Sequence, residues 1–480
     1  MKHYLILPAI LLCLANAWAT TWYVGPSRTY TFCSQVAPLV ADGDSILIDA
    51  AVYDNDPQVQ WKKNNLYIAG IGGRPRLQAG SIIANDFSNG KGIFVTQGSG
   101  IHIHNIEFAN ARVPDNNGAG IRQEGANLLV TRCKFDGNEM GILGGNIANC
   151  KVTVEYCEFV NGGSVFNPGY QHNIYINHID TLVFRYNYSH NSIAQGHEFK
   201  SRATYNFILY NRIANEDSED SRTIDIPNGG VSVIMGNVIE QGPNSANNNI
   251  LGYGLEGLSN PGSQELYFIN NTFINKKDRG SFIQVQDNTD VLMVWNNIMA
   301  GITTGGLING TPALLDTAYN WVNTDLDVFG FADQAHYDYH LLSGSGAIDR
   351  GVDSGLQLFG YALSPSLMYQ DTCGYDPRII EGAVDIGAFE YNTPLKTNDP
   401  TNAALVIWPN PAQEVIHIQP GTSTEEKLFL NIYSSDGRLM VQEHGTGSDY
   451  TVDVSQWPAG MYVVTLKSRE NIRTGRVVVH

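Results

Sequence analysis

The residues of this chain best suited to chemistry crowd into one short stretch, Gly196-His197-Glu198-Phe199-Lys200-Ser201-Arg202. It holds an imidazole, a carboxylate and two cations, in a sequence where charged residues make up only 16%. In an extended strand side chains alternate between faces. Glu198, Lys200 and Arg202 therefore share one face, and His197, Phe199 and Ser201 the other. Unpaired charges are prohibitive inside a narrow core, so Phe199 is expected to point inward and Lys200 outward.

Such a strand needs neighbours, and a repeat supplies them. Between residues 100 and 300 a short β-rich run is followed again and again by one turn position, apolar at first and then cysteine or asparagine. That position is Ile106, Cys133, Cys157, Asn187, Asn211, Asn237, Asn271 and Asn297, at intervals of 27, 24, 30, 24, 26, 34 and 26 residues. A period near 25 with two or three short strands denotes a solenoid, because each coil can bury its apolar face only against the next. Asn at one turn of successive coils can bond amide to amide along the stack, since its side chain both donates and accepts. Leu is sparse and no 3.6-residue periodicity persists, which excludes leucine-rich and helical repeats. The reading is all-β: a right-handed parallel β-helix.

Counting eleven residues back from Asn187, Asn211 and Asn237 sets Lys200 level with Ile176 and Ile226. A one-residue bulge would keep Phe199 in the core instead. The outward neighbours of the Lys200 strand are then Asn173, Tyr175 and Asn177 one coil earlier, and Thr223 and Asp225 one coil later. His172, His178, His190, Arg222 and Asn228 fall in adjoining turns, beside the acidic run Asn215 to Asp220.

A polar patch of this kind suits an extracellular polysaccharide. Elimination at a uronic acid needs a base, a partner for the carboxylate and an acid for the leaving oxygen. Lys200 is the candidate base, Arg202 or Arg222 the neutralising cation, and Tyr175 or His178 the acid. Asn173, Asn177, His197 and Asn228 are candidate substrate-binding residues. Glu198 and Asp225 could instead hold Ca²⁺, a hard cation that prefers oxygen, or act as the paired carboxylates of a glycoside hydrolase. The third alternative is a non-catalytic, adhesin-like surface that binds glycan, its charges forming a solvated ion-pair ladder.

The repeat, with the opening segment Thr21 to Tyr53 read as strand, short capping helix from about Phe32 to Ala41, turn and strand, resembles the pectin-lyase-like right-handed β-helix proteins over roughly residues 21 to 310. The Lys200-Ser201 run is similar to the Lys-Ser coil of alginate-lyase and chondroitinase-B-like enzymes. That resemblance implies a base role for Lys200 alone, because the following coil reads Thr-Ile-Asp-Ile-Pro-Asn-Gly-Gly where the family has Arg-His-Gly. Residues 340–391 resemble the closing segment after many secreted β-helices, and 311–391 are expected to cap the last coil. Residues 392–402, with Pro394 and Pro400, read as a linker.

Residues 403–480 alternate as strands between Pro, Gly and Asp turns, the pattern of a small Ig-like β-sandwich. Pro409-Asn410-Pro411, Tyr433 through Asp436-Gly437-Arg438, Asp453-Val454-Ser455 and Ala459-Gly460-Met461-Tyr462 resemble the carboxyl-terminal sorting domain of the type IX secretion system of Bacteroidota. The resemblance implies that secretion machinery as a partner, and delivery across the outer membrane to the surface or beyond.

The amino terminus agrees with export. Lys2 and His3, an apolar run from Tyr4 to Leu14 and small residues at Ala15, Ala17 and Ala19 form a signal-peptide pattern over residues 1–19. No other run is long enough to cross a bilayer. The chain carries 49 Gly and 45 Asn, with 30 of the Asn between residues 101 and 300, which disfavours helices. A net charge of -18 argues against a nucleic-acid partner. Five cysteines beyond the signal segment are too few for a disulfide scaffold and are expected to be mostly small buried residues.

Overall fold

A computed structural model describes residues 19–79, 92–301, 303–392, 405–419, 428–434, 439–445, 449–467 and 472–479. The expected signal segment up to residue 18, nearly all of the expected linker and the Asp436-Gly437-Arg438 motif lie outside the described residues. The chain divides into two units, one ending at Tyr391 and the other beginning at Asn392.

In the first unit the described strands stack into three parallel sheets. The first sheet has twelve strands, from Thr21–Val24 to Leu314–Ala318. The second has eleven, from Val52–Asp54 to Trp321–Asn323, and the third has ten, from Val59–Trp61 to Ile308–Asn309. Each coil visits the sheets in that order, so every inward column is built from successive coils. One such column is Phe94, Ile121, Ile142, Ile174 on the third sheet. Another is Phe108, Phe135 and Phe159 on the second, whose rings stack with centroids 5.3 and 4.6 Å apart. The amino-terminal helix Cys33–Val36 buries Cys33 and Val36 against the first coil, and Asp56 accepts from the Cys33 N–H at 2.9 Å.

The tight turn between first and second sheets carries the repeated amide. Asn187, Asn211, Asn237, Asn271 and Asn297 are fully buried, and Asn320 extends the series by one coil. Asn187 Oδ1 accepts the Cys157 backbone N–H, and from Asn211 onward each Oδ1 accepts twice from the coil before it. Asn237 Oδ1, for example, takes the Asn211 backbone N–H at 2.8 Å and the Asn211 Nδ2 at 3.0 Å. Asn237 Nδ2 donates in turn to the Ile208 carbonyl and to Asn271 Oδ1, both at 2.9 Å. The residue just before each ladder position bends the chain sharply with positive φ, as at Tyr186 (60°), Tyr210 (54°) and Asn296 (56°). Such a backbone is costly for a bulky residue. Here stacking of Tyr156 on Tyr186 and of Tyr186 on Tyr210 accompanies it.

The solenoid runs past residue 310 to Asn323, and the segment beyond it is a wrap rather than an end cap. Phe329, Phe331, Tyr339 and Phe389 pack on Val238, Ile274 and Ile298, the outer face of the second sheet. Leu363, with Leu358 and Tyr361, packs on Phe207, Val233 and Met293, the outer face of the first. The wrap covers those faces because they are apolar there, whereas the inward Leu315 and Val322 of the last coil remain 49% and 39% exposed. The five described cysteines are free, and four of them are buried.

In the second unit an antiparallel three-stranded sheet (Val406–Trp408, Val415–Gln419, Tyr450–Asp453) accompanies a four-stranded one (Leu428–Ser434, Leu439–Gly445, Gly460–Lys467, Ile472–Val479). Ile416, Ile418, Leu430, Ile432 and Val464 form its core. This is the expected small β-sandwich. Among the described residues no helix is long and apolar enough to cross a membrane.

Asn237→Ala removes one acceptor that serves two donors and one amide that serves two acceptors. Each buried group left unpaired costs about 1–3 kcal/mol. The variant is therefore expected to melt well below the parent in chemical or thermal denaturation, while the exposed Asn248→Ala stays within about 0.5 kcal/mol.

Candidate functional site

Lys200 faces outward from the strand Phe199–Ser201, with Phe199 buried in the core. Its register partners are Tyr175 one coil earlier and Asp225 one coil later, the one-residue shift that the hydrophobic pattern demanded. The cause is a shorter turn and not a bulge. Twelve residues separate Tyr175 from Asn187 and Asp225 from Asn237, but only eleven separate Lys200 from Asn211. Tyr175, Lys200, Asp225 and Gly252 thus form one outward column on the third sheet.

Around this column a network closes. Lys200 Nζ lies 3.1 Å from Asp225 Oδ2 and 3.3 Å from Glu256 Oε1. Arg202 Nη2 reaches the other Glu256 oxygen at 2.6 Å, its Nε donates to the Tyr175 hydroxyl at 2.7 Å, and its Nη1 donates to Asn228 Oδ1. Both cations stand 5.7 Å from the Tyr175 ring centroid. Arg222 Nη1 lies 3.4 Å from Asp225 Oδ1. Gly252 makes room for this, because a Cβ there would come within 2.9 Å of Arg222 Cδ.

Behind the column His172 and His197 stack with centroids 4.8 Å apart. His172 Nδ1 accepts the His197 backbone N–H at 3.0 Å, and His197 Nδ1 accepts that of Arg222 at 3.1 Å. The same Nδ1 lies 3.1 Å from the Arg222 carbonyl oxygen, and Nε2 faces Asp225 Oδ2 at 3.5 Å. Burial drives His197 down to about 4 and His172 well below its ordinary range. Burial pushes the Asp225 carboxyl upward, but His197, Lys200 and Arg222 outweigh it and hold the group below its ordinary value. Glu256 is likewise held low, Arg202 and Lys200 overcoming its partial burial.

The structure brings together Tyr175, Lys200, Arg202, Arg222, Asp225, His197 and Asn228 from the residues read in the sequence. It separates the others. Glu198 is buried in the corner facing away from Asp225, where its carboxylate accepts from the Ser192 N–H at 2.7 Å, from Ser192 Oγ at 2.9 Å and from Asn173 Nδ2. Burial raises its carboxyl well above the ordinary range, and Asp220 adds to the rise. Asn173 sits in the same corner, its Oδ1 taking the Gly162 N–H at 2.9 Å. Residues 173 and 198 precede their strands, Ile174–Ile176 and Phe199–Ser201, so strand alternation does not extend to them. His178 and Asn177 occupy an exposed turn, where the His178 N–H bonds Asn177 Oδ1 and Asn146 Oδ1.

Calcium takes six to eight oxygen ligands. Glu198 is held by Ser192 and Asn173 while Asp225 holds the Lys200 and Arg222 cations, so the two carboxylates do not share partners and do not fit the ion. The same separation removes them as a hydrolytic pair. His172, expected in an adjoining turn, joins the cluster, and Glu256 completes it without having been singled out. The signal for Glu256 is the 34-residue interval between Asn237 and Asn271, the longest in the repeat, which leaves room for the loop that presents it. Gly257 in that loop has a φ of 109°, open only to glycine at low cost.

Stability should report the buried imidazole. Between its ordinary value of 6.5 and its folded value of about 4, the unfolded chain takes up a proton that folded His197 does not. The folded state therefore loses stability as pH falls through that window, by at most about 3 kcal/mol from this group. His197→Asn removes the titration while leaving an oxygen for the Arg222 N–H. Its melting temperature is expected to fall less steeply than the parent's between about pH 7 and 4.

Residues 406–480 match the family described as the secretion system C-terminal sorting domain. No curated protein matches the chain significantly. The chain is thus a parallel β-helix protein bearing a type IX secretion sorting domain, exported across the outer membrane to the cell surface or beyond.

Proposed function

We propose that the protein is an exported polysaccharide lyase that cleaves a uronate glycan by β-elimination. One arrangement carries the reading: the Lys200 ammonium and the Arg202 guanidinium converge on a single half-exposed carboxylate, Glu256, beside the Tyr175 hydroxyl. A uronate carboxylate exchanging with Glu256 meets the same cations. Arg202, always charged, neutralises it and so makes the proton on the adjacent C5 removable.

In this scheme the Lys200 ammonium first gives up a proton to solvent, and the amine so formed takes the C5 proton. The C–H electron pair becomes the C4–C5 double bond and the C4–O bond breaks. Asp225, 3.1 Å beneath, stabilises the ammonium as it forms. The Tyr175 hydroxyl oxygen accepts from Arg202, leaving its own proton free to pass to the departing oxygen. The overall charge of -18 disfavours a polyanion, and the local cation cluster offsets it where the chain must bind.

A second reading has its own observation. Asp225 and Glu256 flank Lys200 Nζ at 3.1 and 3.3 Å and are the pair a glycoside hydrolase on this face would use.

Incubation with alginate, pectate and chondroitin is expected to produce the ultraviolet absorbance of an unsaturated uronate end. Lys200→Ala and Tyr175→Phe should each lower kcat by about 10²–10⁴-fold, and His178→Ala should leave it unchanged. New reducing ends without that absorbance would establish hydrolysis. Retention of glycan with no cleavage would make this a binding protein.

A further inference from the structure

Where the wrap crosses the outer face of the second sheet beside Arg212, it leaves a cavity of about 360 Å³. Its floor is apolar and aromatic, with Val238, Tyr339, Tyr369 and Phe389 all buried. These rings are fixed in place. The Tyr339 hydroxyl donates to Glu240, the Tyr369 hydroxyl accepts the Cys373 N–H at 3.4 Å, and Phe389 lies against the His340 ring at 3.9 Å.

The one guanidinium of the lining is already engaged. Arg212 sits between the Tyr188 and Tyr337 rings at 4.6 and 4.8 Å, with Nη2 3.0 Å from Glu216 Oε1 and Nη1 3.6 Å from Asp371 Oδ2. The rim carries three carboxylates, Asp338, Asp371 and Asp376, together with His340. The Asp338 and Asp371 side chains are 45% and 55% exposed. The charge balance of this cavity is the reverse of that around Lys200.

We infer that this cavity is a second carbohydrate site, taking a neutral sugar residue. Fixed aromatic carbons offer a surface for the C–H face of a pyranose, and carboxylates accept hydrogen bonds from sugar hydroxyls, the charge-assisted kind that is the stronger. Three carboxylates against one paired guanidinium repel a uronate. The volume falls at the small end of ligand pockets, about 300–1,000 Å³, which suits a mono- or disaccharide unit. The site is independent of the elimination chemistry and lies on a different sheet, so a chain or branch carrying neutral residues could engage it while a uronate lies at Lys200.

Calorimetric titration of the full chain with neutral tetrasaccharides of glucose, mannose, galactose and xylose checks this, with a tetrauronate and Ca²⁺ as comparison ligands. At least one neutral tetrasaccharide is expected to bind. Asp376→Asn combined with His340→Ala should weaken it at least tenfold, and Lys200→Ala should leave it unchanged. Both rim residues are exposed, but His340 also packs on Phe389, so Asp376→Asn alone, which should weaken binding in the same direction at the parent melting temperature, separates lost hydrogen bonding from a disturbed floor. Failure of all four neutral sugars to bind overturns the inference. So does binding that the rim variant leaves intact, binding that only Lys200→Ala abolishes, or a response confined to Ca²⁺, which would mark a metal site. None of these outcomes bears on cleavage at Lys200, which ultraviolet absorbance reports separately.

Discussion

A tight turn between two sheets leaves backbone N–H groups with no strand partner, and inside a coil no water can serve them. The ladder asparagines meet that need with one side chain per coil, each amide from Asn211 onward accepting two N–H groups from the coil before it and donating to a carbonyl oxygen. Because every rung binds the next, the ladder sets the level of each coil against its neighbour. Everything on the outer walls inherits that level. Lys200 stands beside Tyr175 and Asp225 only because Asn211 is fixed between Asn187 and Asn237 while the turn between Lys200 and Asn211 is one residue short.

That fixed level also decides which charges are buried. Asp225 is almost wholly covered, yet it stays ionised because three basic neighbours arrive from its own coil and the previous one. Twenty-five residues bring His197 over His172, and each imidazole takes the next coil's backbone N–H, a smaller version of the amide ladder. In the corner before the Lys200 strand, Glu198 and Asp220 are buried near one another and both are raised by burial. Acidification therefore works in opposite directions on the two sides of one coil: it favours the buried acids and opposes the buried imidazoles.

Much of this was legible in the sequence because it is periodic. The solenoid, the ladder from Asn187 to Asn297 and the outward direction of Lys200 all follow from spacing and from the cost of burying charge. What was not legible lies where the period breaks. Alternation misplaced Asn173 and Glu198, since both stand one residue outside a three-residue strand, in a corner whose direction the loop sets. Glu256 lies 54 residues beyond Arg202 and meets it only because two coils and a long loop intervene. The segment after Asn323 carries no repeat, so nothing in its spacing distinguishes a cover for the last coil from a wrap over apolar outer faces.

A narrow coil can hold little chemistry, for its interior is one residue deep and closed by neighbouring coils. Function on this scaffold must be written on its walls, where a side chain meets only its column neighbours and whatever the loops and the wrap deliver. The third sheet receives Glu256 from a loop and gathers cations around it. The second receives the tyrosines and aspartates of the wrap and gathers aromatic surface and negative charge. Both walls share the same backbone register, so their opposite character comes entirely from what lies between the strands. Those insertions are where the chemistry of a wall can change without disturbing the ladder that holds the coils level.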